Sequence, residues 1–296
     1  MQGSRTLAIA YGLLAMPLAF GALPIYLFVP DFYAQTTLLS LSTLGAVLLG
    51  TRLLDAFADP LLGVLSDSIP RRLFLCLALL PFATGFVALF QPSSVLTPEL
   101  WLVSSLLLCT LGFSACTISY QAWGGDLGTD TPSRLRFTAA RECFGLCGVV
   151  IAAVLPVFLA ADVVTGLGRM WWLFVPLLIF CAAFSLLKVP DVSNSPVNKP
   201  AFMNDLTLVL SDTVYRRLAG VFVINGIASA FPATLFVFFV SDVLDARAQS
   251  GLFLGLYFLS AAAAIPLWVK IALLWGRPRT WLFAMTLAIA AFSCAF

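Results

Sequence analysis

Three charged residues with helical spacing carry the most prominent chemistry in the sequence. Arg52, Asp55 and Asp59 stand at i, i+3 and i+7 within a long apolar run, so a helix places them on one face. Two carboxylates one turn apart repel each other unless a cation lies between them or one is protonated. Carboxylate oxygens are hard ligands that suit Na⁺, and they also accept protons. In a membrane, such a pair predicts a functional site. The alternative is that Arg52 only pairs with Asp55, while Asp59 lies at the wet end of its helix.

The composition indicates that these charges belong to a membrane protein. Apolar residues make up 61% of the 296 residues and charged residues 10%, and the mean hydropathy is +1.03. Soluble domains carry about 25% charged residues. The apolar runs are about 20 residues long, which predicts an all-α, polytopic membrane protein embedded in a lipid bilayer. A net charge of +2 does not indicate nucleic acid as a partner.

Histidine is absent, which excludes histidine metal sites, general bases and proton relays. The seven cysteines lie in apolar runs, and no CxxC motif occurs. We therefore expect the cysteines to be small packing residues rather than metal ligands or disulfides.

The apolar runs predict about nine transmembrane spans. They cover residues 6–29, 37–65, 73–91, 99–123, 137–160, 170–188, 217–241, 249–272 and 280–296. With the N-terminus inside, twelve basic residues fall on the inner side and two, Arg169 and Arg247, on the outer side. The inner residues are Arg5, Arg71, Arg72, Arg134, Arg136, Lys188, Lys199, Arg216, Arg217, Lys270, Arg277 and Arg279. This asymmetry predicts a cytoplasmic N-terminus.

One polar connection predicts the division of the chain. Residues 189–215 are rich in Pro, Asn and Ser, and we expect a cytoplasmic central loop there, with a short surface helix over 201–212. Residues 1–188 then form a six-helix N-terminal bundle, and residues 216–296 form a partial C-terminal bundle of three helices. The sequence ends at Phe296 within an apolar run, which we interpret as a shortened chain; a complete nine-span protein is the alternative.

The segment GVLSDSIPRR, residues 63–72, has the features of a latch between two helices. Gly63 allows helices to approach closely, and Asp67 can accept hydrogen bonds from Arg71, Arg72 or a helix N-terminus. The segment resembles the loop between spans two and three of the major facilitator superfamily, G-x-L-x-D-x-x-G-R-R/K. Pro70 stands where that pattern usually has Gly. A plain basic cytoplasmic turn is the alternative.

Within that superfamily, the chain resembles the glycoside–pentoside–hexuronide cation symporters, the melibiose-carrier family. The segment RLLDAFADP, residues 52–60, is close to that family's R-x-x-D-A-x-x-D-P. Residues 123–142, which begin WGGDLGTD and include Arg134, Arg136 and the pair Arg141–Glu142, resemble its run from span four into span five. Residues 266–277 are similar to the loop after span eight.

The resemblance implies cation-driven symport of a small solute, often a sugar, by alternating access. Asp55 and Asp59, with Arg52, would form the coupling site for H⁺ or Na⁺, and no other cofactor is implied. Sugar carriers of the family keep acids near the positions of Ala19 and Ser119, and both are absent here. The missing acid near Ala19 argues against the sugar recognition of those carriers. The missing acid near Ser119 removes a Na⁺ ligand, which favours H⁺ coupling or no coupling.

The predicted solute contacts are aromatic, amide and charged side chains of spans one, four and five. The predicted gates include residues of the segment 63–72. A tryptophan with a nearby amide and hydroxyl suits a sugar, although it also suits the interfacial belt. An Arg–Glu pair in a span is costly in lipid and should face the interior, paired internally or with Asp126 or Asp55. We predict solute binding at Trp123, Gln121, Tyr120, Arg141 and Tyr26, and gating at Gly63, Asp67, Arg71, Arg72, Asp126 and Glu142. Tyr11 and Asn225 are weaker cavity candidates.

Two other functions compete with transport. An intramembrane prenyltransferase binds Mg²⁺-diphosphate through two aspartate-rich motifs, which Asp55/Asp59 and Asp126/Asp130 imitate. The other alternative is a non-transporting remnant, because the last three spans of the expected fold are missing. For a symporter we expect the plasma membrane, such as the inner membrane of a bacterium. The sequence gives no indication of the oligomeric state.

Overall fold

The computed structural model describes residues 2–93, 95–128, 131–191, 211–246 and 249–293. Over these residues the chain is helical and contains no strand, which confirms the all-α prediction. A short π-helical segment, Phe239–Val243, directly follows the helix that ends at Phe238. The helices are α1 (Gln2–Gly12), α2 (Ala15–Leu27), α3 (Val29–Thr36), α4 (Leu41–Ser68), α5 (Arg71–Phe90), α6 (Pro98–Leu127), α7 (Thr131–Leu159), α8 (Val163–Arg169), α9 (Trp171–Lys188), α10 (Thr213–Phe238), α11 (Ser250–Trp275) and α12 (Arg277–Ser293).

Within the described residues, six helical segments are long and apolar enough to cross a membrane. They agree with the first six predicted spans to within a few residues, apart from an earlier start of the sixth. The segments are Thr6–Leu27, Leu41–Ser68, Arg71–Phe90, Pro98–Leu127, Arg136–Leu159 and Val163–Lys188. Helices α10, α11 and α12 occupy the positions of the other three predicted spans. The protein is therefore a polytopic helical membrane protein.

Local sequence sets the ends of the long helices. The Ser40 hydroxyl caps α4 by accepting a hydrogen bond of 3.1 Å from the Thr43 amide. Thr97 caps α6 in the same way, and Pro98 occupies the first turn, where its missing N–H costs nothing. Helix α4 ends at Ser68, because the next residue, Ile69, is extended (φ −119°, ψ 148°). Pro70 disfavours helical geometry in the residue before it.

The first predicted span is not one continuous helix. Helix α1 ends at Gly12 and α2 begins at Ala15, because Pro17 has no N–H to continue the hydrogen-bond ladder. The Met16 amide instead donates to the Leu13 carbonyl at 3.2 Å, which makes a tighter turn. At the same break, the Tyr11 carbonyl accepts a long bond of 3.4 Å from the Leu14 amide, which leaves one of its lone pairs for a side-chain donor.

Glycines allow two pairs of helices to approach closely. Helices α5 and α6 cross at Gly85, which faces the backbone of Cys109, and at Gly112, which faces the backbone of Phe82. Gly148 of α7 faces the Met16 carbonyl in the same manner. Small residues let helices pack backbone to backbone in a membrane, where water does not drive them together. These contacts fix α6 and α7, which line the site described below.

The helix ends near α3 are tied by side-chain hydrogen bonds. The hydroxyl of Tyr33 donates to the Leu89 carbonyl at 2.9 Å, and the indole of Trp101 donates to the Ala88 carbonyl at 2.8 Å. These bonds supply donors to carbonyls in the last turn of α5, where the regular helical pattern of hydrogen bonds runs out. Burial raises the pKa of Tyr33 to about 12, so its hydroxyl stays protonated at neutral pH and remains a donor.

The second half of the chain contacts the first through α11. Gly251 faces the Ala153 carbonyl and Gly255 faces the Val154 side chain, so α11 packs closely on α7. Helix α10 exposes most of its described side chains. The predicted division of the chain at 189–215 stays a prediction. Residues 192–210, with most of the predicted surface helix, and Asp130 and Arg247 lie outside the described residues.

Candidate functional site

The two acids of α4 differ in their bonding. Asp55 is 9% exposed, and its Oδ1 accepts a hydrogen bond of 3.1 Å from the Ser114 hydroxyl on α6. Oδ1 of Asp59 is buried and has no hydrogen-bond partner among the described residues. A buried carboxylate oxygen without a partner is costly, so this arrangement suits the binding of a cation or a proton.

A second hydroxyl lies one turn further along α6. Thr117 follows Ser114 by three residues, and its Oγ1 is likewise buried without a partner in the described part of the chain. The packing of α4 on α6 places the Ser114 hydroxyl on Asp55, and carboxylate and hydroxyl oxygens are ligands that a hard cation prefers. The sequence pattern does not single out either hydroxyl, because serine and threonine are common on helix interfaces in membranes. Their three-residue spacing is the only signal.

Arg52 contacts an aromatic ring rather than the acids. Its guanidinium carbon lies 3.9 Å from the centroid of the Tyr26 ring on α2. It forms no ion pair with Asp55 or Asp59, as far as the described residues show. The alternative in which Arg52 pairs with Asp55 is therefore not the observed arrangement, and the predicted role of Arg52 in cation coupling stays a prediction.

A cavity of about 350 Å³ lies among α2, α6 and α7. Helix α2 contributes mainly alanine and leucine side chains, whereas α6 and α7 contribute hydroxyl, amide and charged groups. Four of the five predicted solute contacts line it, together with the predicted gating residue Glu142. The lining residues are Ala15, Leu18, Ala19, Ala22, Leu23, Tyr26, Phe113, Thr117, Tyr120, Gln121, Arg141, Glu142, Gly145 and Val149. A cavity of this size with a few polar groups suits a small molecule.

Arg141 and Glu142 are paired with each other, which is one of the two predicted arrangements. Nη2 and Nε of Arg141 donate to Oε1 of Glu142 at 2.7 and 3.2 Å. The second carboxylate oxygen of Glu142 takes no part in this pair. The side chains are 26% and 60% exposed and border the cavity, so the pair can contact a solute directly.

Tyr120 contributes its ring to the cavity wall, but its hydroxyl is occupied. That hydroxyl donates to the Tyr11 carbonyl at 2.8 Å, and the Tyr11 hydroxyl donates to the Tyr120 carbonyl at 3.0 Å. The two rings stack with their centroids 4.5 Å apart. At the break between α1 and α2, the Tyr11 carbonyl accepts a long bond of 3.4 Å from the Leu14 amide, so it can also accept the bond from Tyr120. Tyr11 itself is 1% exposed, so its predicted place in the cavity is not observed.

The prediction that Trp123 stacks on a solute is not met by the geometry. Trp123 is 1% exposed and does not line the cavity. Its indole N–H donates to the Pro190 carbonyl at 3.3 Å, and its ring packs edge-on against Tyr11. Trp123 therefore ties the end of α6 to the end of α9. Gln121, two residues earlier, is the residue of this segment that reaches the cavity.

Three of the predicted gating residues form one cluster, called here the Arg71 cluster: Asp67, Arg71 and Asp126. Nη1 of Arg71 lies 3.1 Å from Oδ1 of Asp67, and its Nε donates to Oδ2 of Asp126. The Ser119 hydroxyl donates to the Arg71 backbone carbonyl at 3.0 Å. The cluster joins the end of α4 and the start of α5 to the end of α6, as a latch requires.

Two other predicted gating residues do not take part in this contact. A Cβ built at Gly63 meets nothing within 4 Å, so the close helix approach expected there is absent. Arg72 makes no hydrogen bond or ion pair in the described part of the chain. By contrast, Gly85 of α5 and Gly112 of α6 each face the backbone of the neighbouring helix. Gating roles for Gly63 and Arg72 stay predictions without a contact to support them.

These features are those of a polytopic helical membrane protein that has a cavity of solute size and two acids on the helix α4. A family model described as MFS/sugar transport protein matches residues 8–296. The chain therefore belongs to the MFS/sugar transport family of the major facilitator superfamily, and it is a membrane transporter rather than an enzyme. Comparison with curated proteins gave no match. The prenyltransferase alternative is thus overturned, and Asp126, on which it depended, is bonded to Arg71.

Proposed function

We propose that this transporter couples the movement of a cation to that of a small solute, a sugar or glycoside, across the plasma membrane. The position of Thr117 is the observation that best supports coupling. Its unpaired hydroxyl lies one turn from Ser114, which bonds Asp55, and the same residue lines the cavity. The proposed cation site and the proposed solute site therefore share a wall.

The residues divide into three roles in this proposal. Asp55 and Asp59 hold the cation, with Ser114 and Thr117 as neutral oxygen donors. Gln121, Glu142 and Arg141 offer an amide, a carboxylate and a guanidinium to the hydroxyls of a solute, while the Tyr26 ring offers an apolar face to it. Such mixed lining suits the alternating polar and apolar faces of a sugar.

The Arg71 cluster is the proposed contact that closes one side of the transporter and breaks when that side opens. It holds together the ends of α4, α5 and α6, and we place this end at the cytoplasmic side because of the basic residues there. Partly buried ion pairs are bistable contacts, since they are either made or replaced by water. Opening of this end requires the link from Arg71 to Asp126 to break.

Either Na⁺ or H⁺ is the proposed coupling ion. The absence of an acid at Ser119 favours H⁺, because one anionic ligand fewer is present. The hydroxyls of Ser114 and Thr117 favour Na⁺, because a proton on a carboxylate does not need three or four oxygen ligands. The two ions therefore have to be tested separately.

Uptake by the full chain in liposomes tests the proposal. Radioactive sugars are offered singly, under an inward Na⁺ gradient in one arm and an inward H⁺ gradient in the other. We expect at least one sugar to accumulate above its external concentration under one gradient, and an ionophore for that ion to abolish the accumulation. Equilibration of a sugar without accumulation would contradict cation coupling. Failure of every sugar to enter would contradict the sugar as the solute.

A further inference from the structure

Arg52 has two groups within the reach of its side chain. One is the acidic pair, because Asp55 and Asp59 follow at three and seven residues on the same helical face. The other is the Tyr26 ring, 3.9 Å from the guanidinium carbon. An aromatic face attracts a guanidinium by its negative quadrupole. The structure shows the contact with the ring.

Tyr26 also belongs to the wall between the two proposed sites. It is 39% exposed and lines the cavity beside Phe113 of α6, with the two rings edge to face at 6.2 Å. Phe113 directly precedes Ser114, which bonds Asp55. One aromatic ring therefore contacts Arg52 of α4, contacts Phe113 of α6 and borders the solute cavity.

We infer that Tyr26 holds Arg52 away from Asp55 and Asp59 and so couples solute binding to cation binding. This inference rests on the proposed cation coupling. Without the ring, the guanidinium turns to the carboxylates and competes with the cation as an internal counter-ion. A solute packed on Tyr26 fixes the ring, and with it the Arg52 contact, so it raises the affinity for the cation. By linkage the cation raises the affinity for the solute by the same factor.

Cation binding to the purified full chain tests the role of Tyr26 without a known solute. The probe is radioactive Na⁺ in one arm, and in the other it is the uptake of protons measured with a pH indicator. Tyr26→Leu removes the aromatic face, and we expect it to weaken binding of the coupling cation by about five- to thirty-fold, the range that a desolvated cation–π contact gives. Tyr26→Phe keeps the aromatic face, so we expect it to bind the cation more tightly than Tyr26→Leu does.

A second substitution separates this role from a merely structural one. Adding Arg52→Gln to Tyr26→Leu removes the competing charge, so cation affinity should return to at least the parent value. If Tyr26→Leu binds the cation as tightly as the parent, or if Arg52→Gln does not restore binding, the role of Tyr26 is overturned and cation coupling still stands. If the parent binds neither ion better than an Asp55→Asn/Asp59→Asn double variant does, the proposed coupling fails and this inference fails with it.

Discussion

At the scale of single residues, the environment of the acids on α4 depends on hydroxyl groups of α6. Asp55 and Asp59 stand out in the sequence because charges are rare in apolar runs. Ser114 and Thr117 do not stand out in the sequence. In the structure, the Ser114 hydroxyl donates to Asp55, and the Thr117 hydroxyl has no partner among the described residues. Trp123 shows the opposite case, since an aromatic residue that looks suited to a sugar is 1% exposed and bonded to Pro190.

Ser114→Ala tests the contribution of the α6 hydroxyl to the cation site. Hydrogen bonds to charged groups contribute about 1.5–3 kcal/mol, so we expect the half-saturating concentration of the coupling ion to rise roughly tenfold or more. The measurement is the ion dependence of solute uptake in liposomes. Ser104→Ala is the matched control, because Ser104 is exposed and bonds only the carbonyl of Trp101 on its own helix. Equal ion dependence in Ser114→Ala and the parent would exclude Ser114 from the site.

At the scale of helices, the sequence predicts which segments are helical better than it predicts how they touch. Hydropathy locates six spans, because each needs about 20 apolar residues to cross the bilayer. The break before Ala15 is not visible in that pattern, although Pro17 causes it. Glycines also look alike in sequence: Gly63 faces open space, whereas Gly112 faces the backbone of Phe82. The difference depends on which helix lies opposite, and no periodicity within one helix encodes that.

Alanine substitutions at two glycines test this difference. Gly112→Ala places a methyl group against the backbone of Phe82, and we expect it to lower the free energy of unfolding by about 1–3 kcal/mol. Gly63→Ala meets no atom and should leave stability unchanged or raise it, within about 1 kcal/mol. Unfolding is followed by circular dichroism during titration of detergent micelles with sodium dodecyl sulfate. Equal losses at both positions would contradict the helix packing described here.

Two adjacent arginines give a matched test of the Arg71 cluster. Arg71→Gln removes the charge that joins Asp67 and Asp126, and leaves the partly buried Asp126 without its partner. We expect a loss of about 1–3 kcal/mol in the same unfolding titration. Arg72→Gln should change little, because Arg72 has no bond to lose within the described residues. A greater loss at Arg72 than at Arg71 would mean that the latch uses the other arginine.

At the scale of the whole molecule, successive spans run in opposite directions, and the hydrogen bonds between helix ends fall into two groups that agree with this order. Arg71, Asp126, Trp123 and Pro190 meet at one end, whereas Tyr33, Leu89 and Trp101 meet near the other. The basic residues predict which end is cytoplasmic, since positive charge in short loops remains inside. The orientation stays a prediction from charge counting. The sequence does not predict the cavity, because it arises only when α2, α6 and α7 are assembled.

Reporter fusions test the orientation directly. Alkaline phosphatase is active only outside the cytoplasm, so a fusion within residues 189–215 should be inactive, and a fusion within residues 91–97, between α5 and α6, should be active. Green fluorescent protein at the same positions should give the reverse pattern. Phosphatase activity from the fusion within 189–215 would place the N-terminus outside and would move the Arg71 cluster to the other face of the membrane.

The capture of the coupling ion by Asp55 and Asp59 is tested most directly by comparing solute exchange with solute accumulation in liposomes that contain the Asp59→Asn variant. Exchange of a labelled solute against the same unlabelled solute needs the cavity and the alternation of states, whereas accumulation also needs the cation. If Asp55 and Asp59 capture the coupling ion, the variant should still exchange the solute but should no longer accumulate it under the gradient that drives the parent. Accumulation by Asp59→Asn equal to that of the parent would show that the acidic pair does not capture the coupling ion.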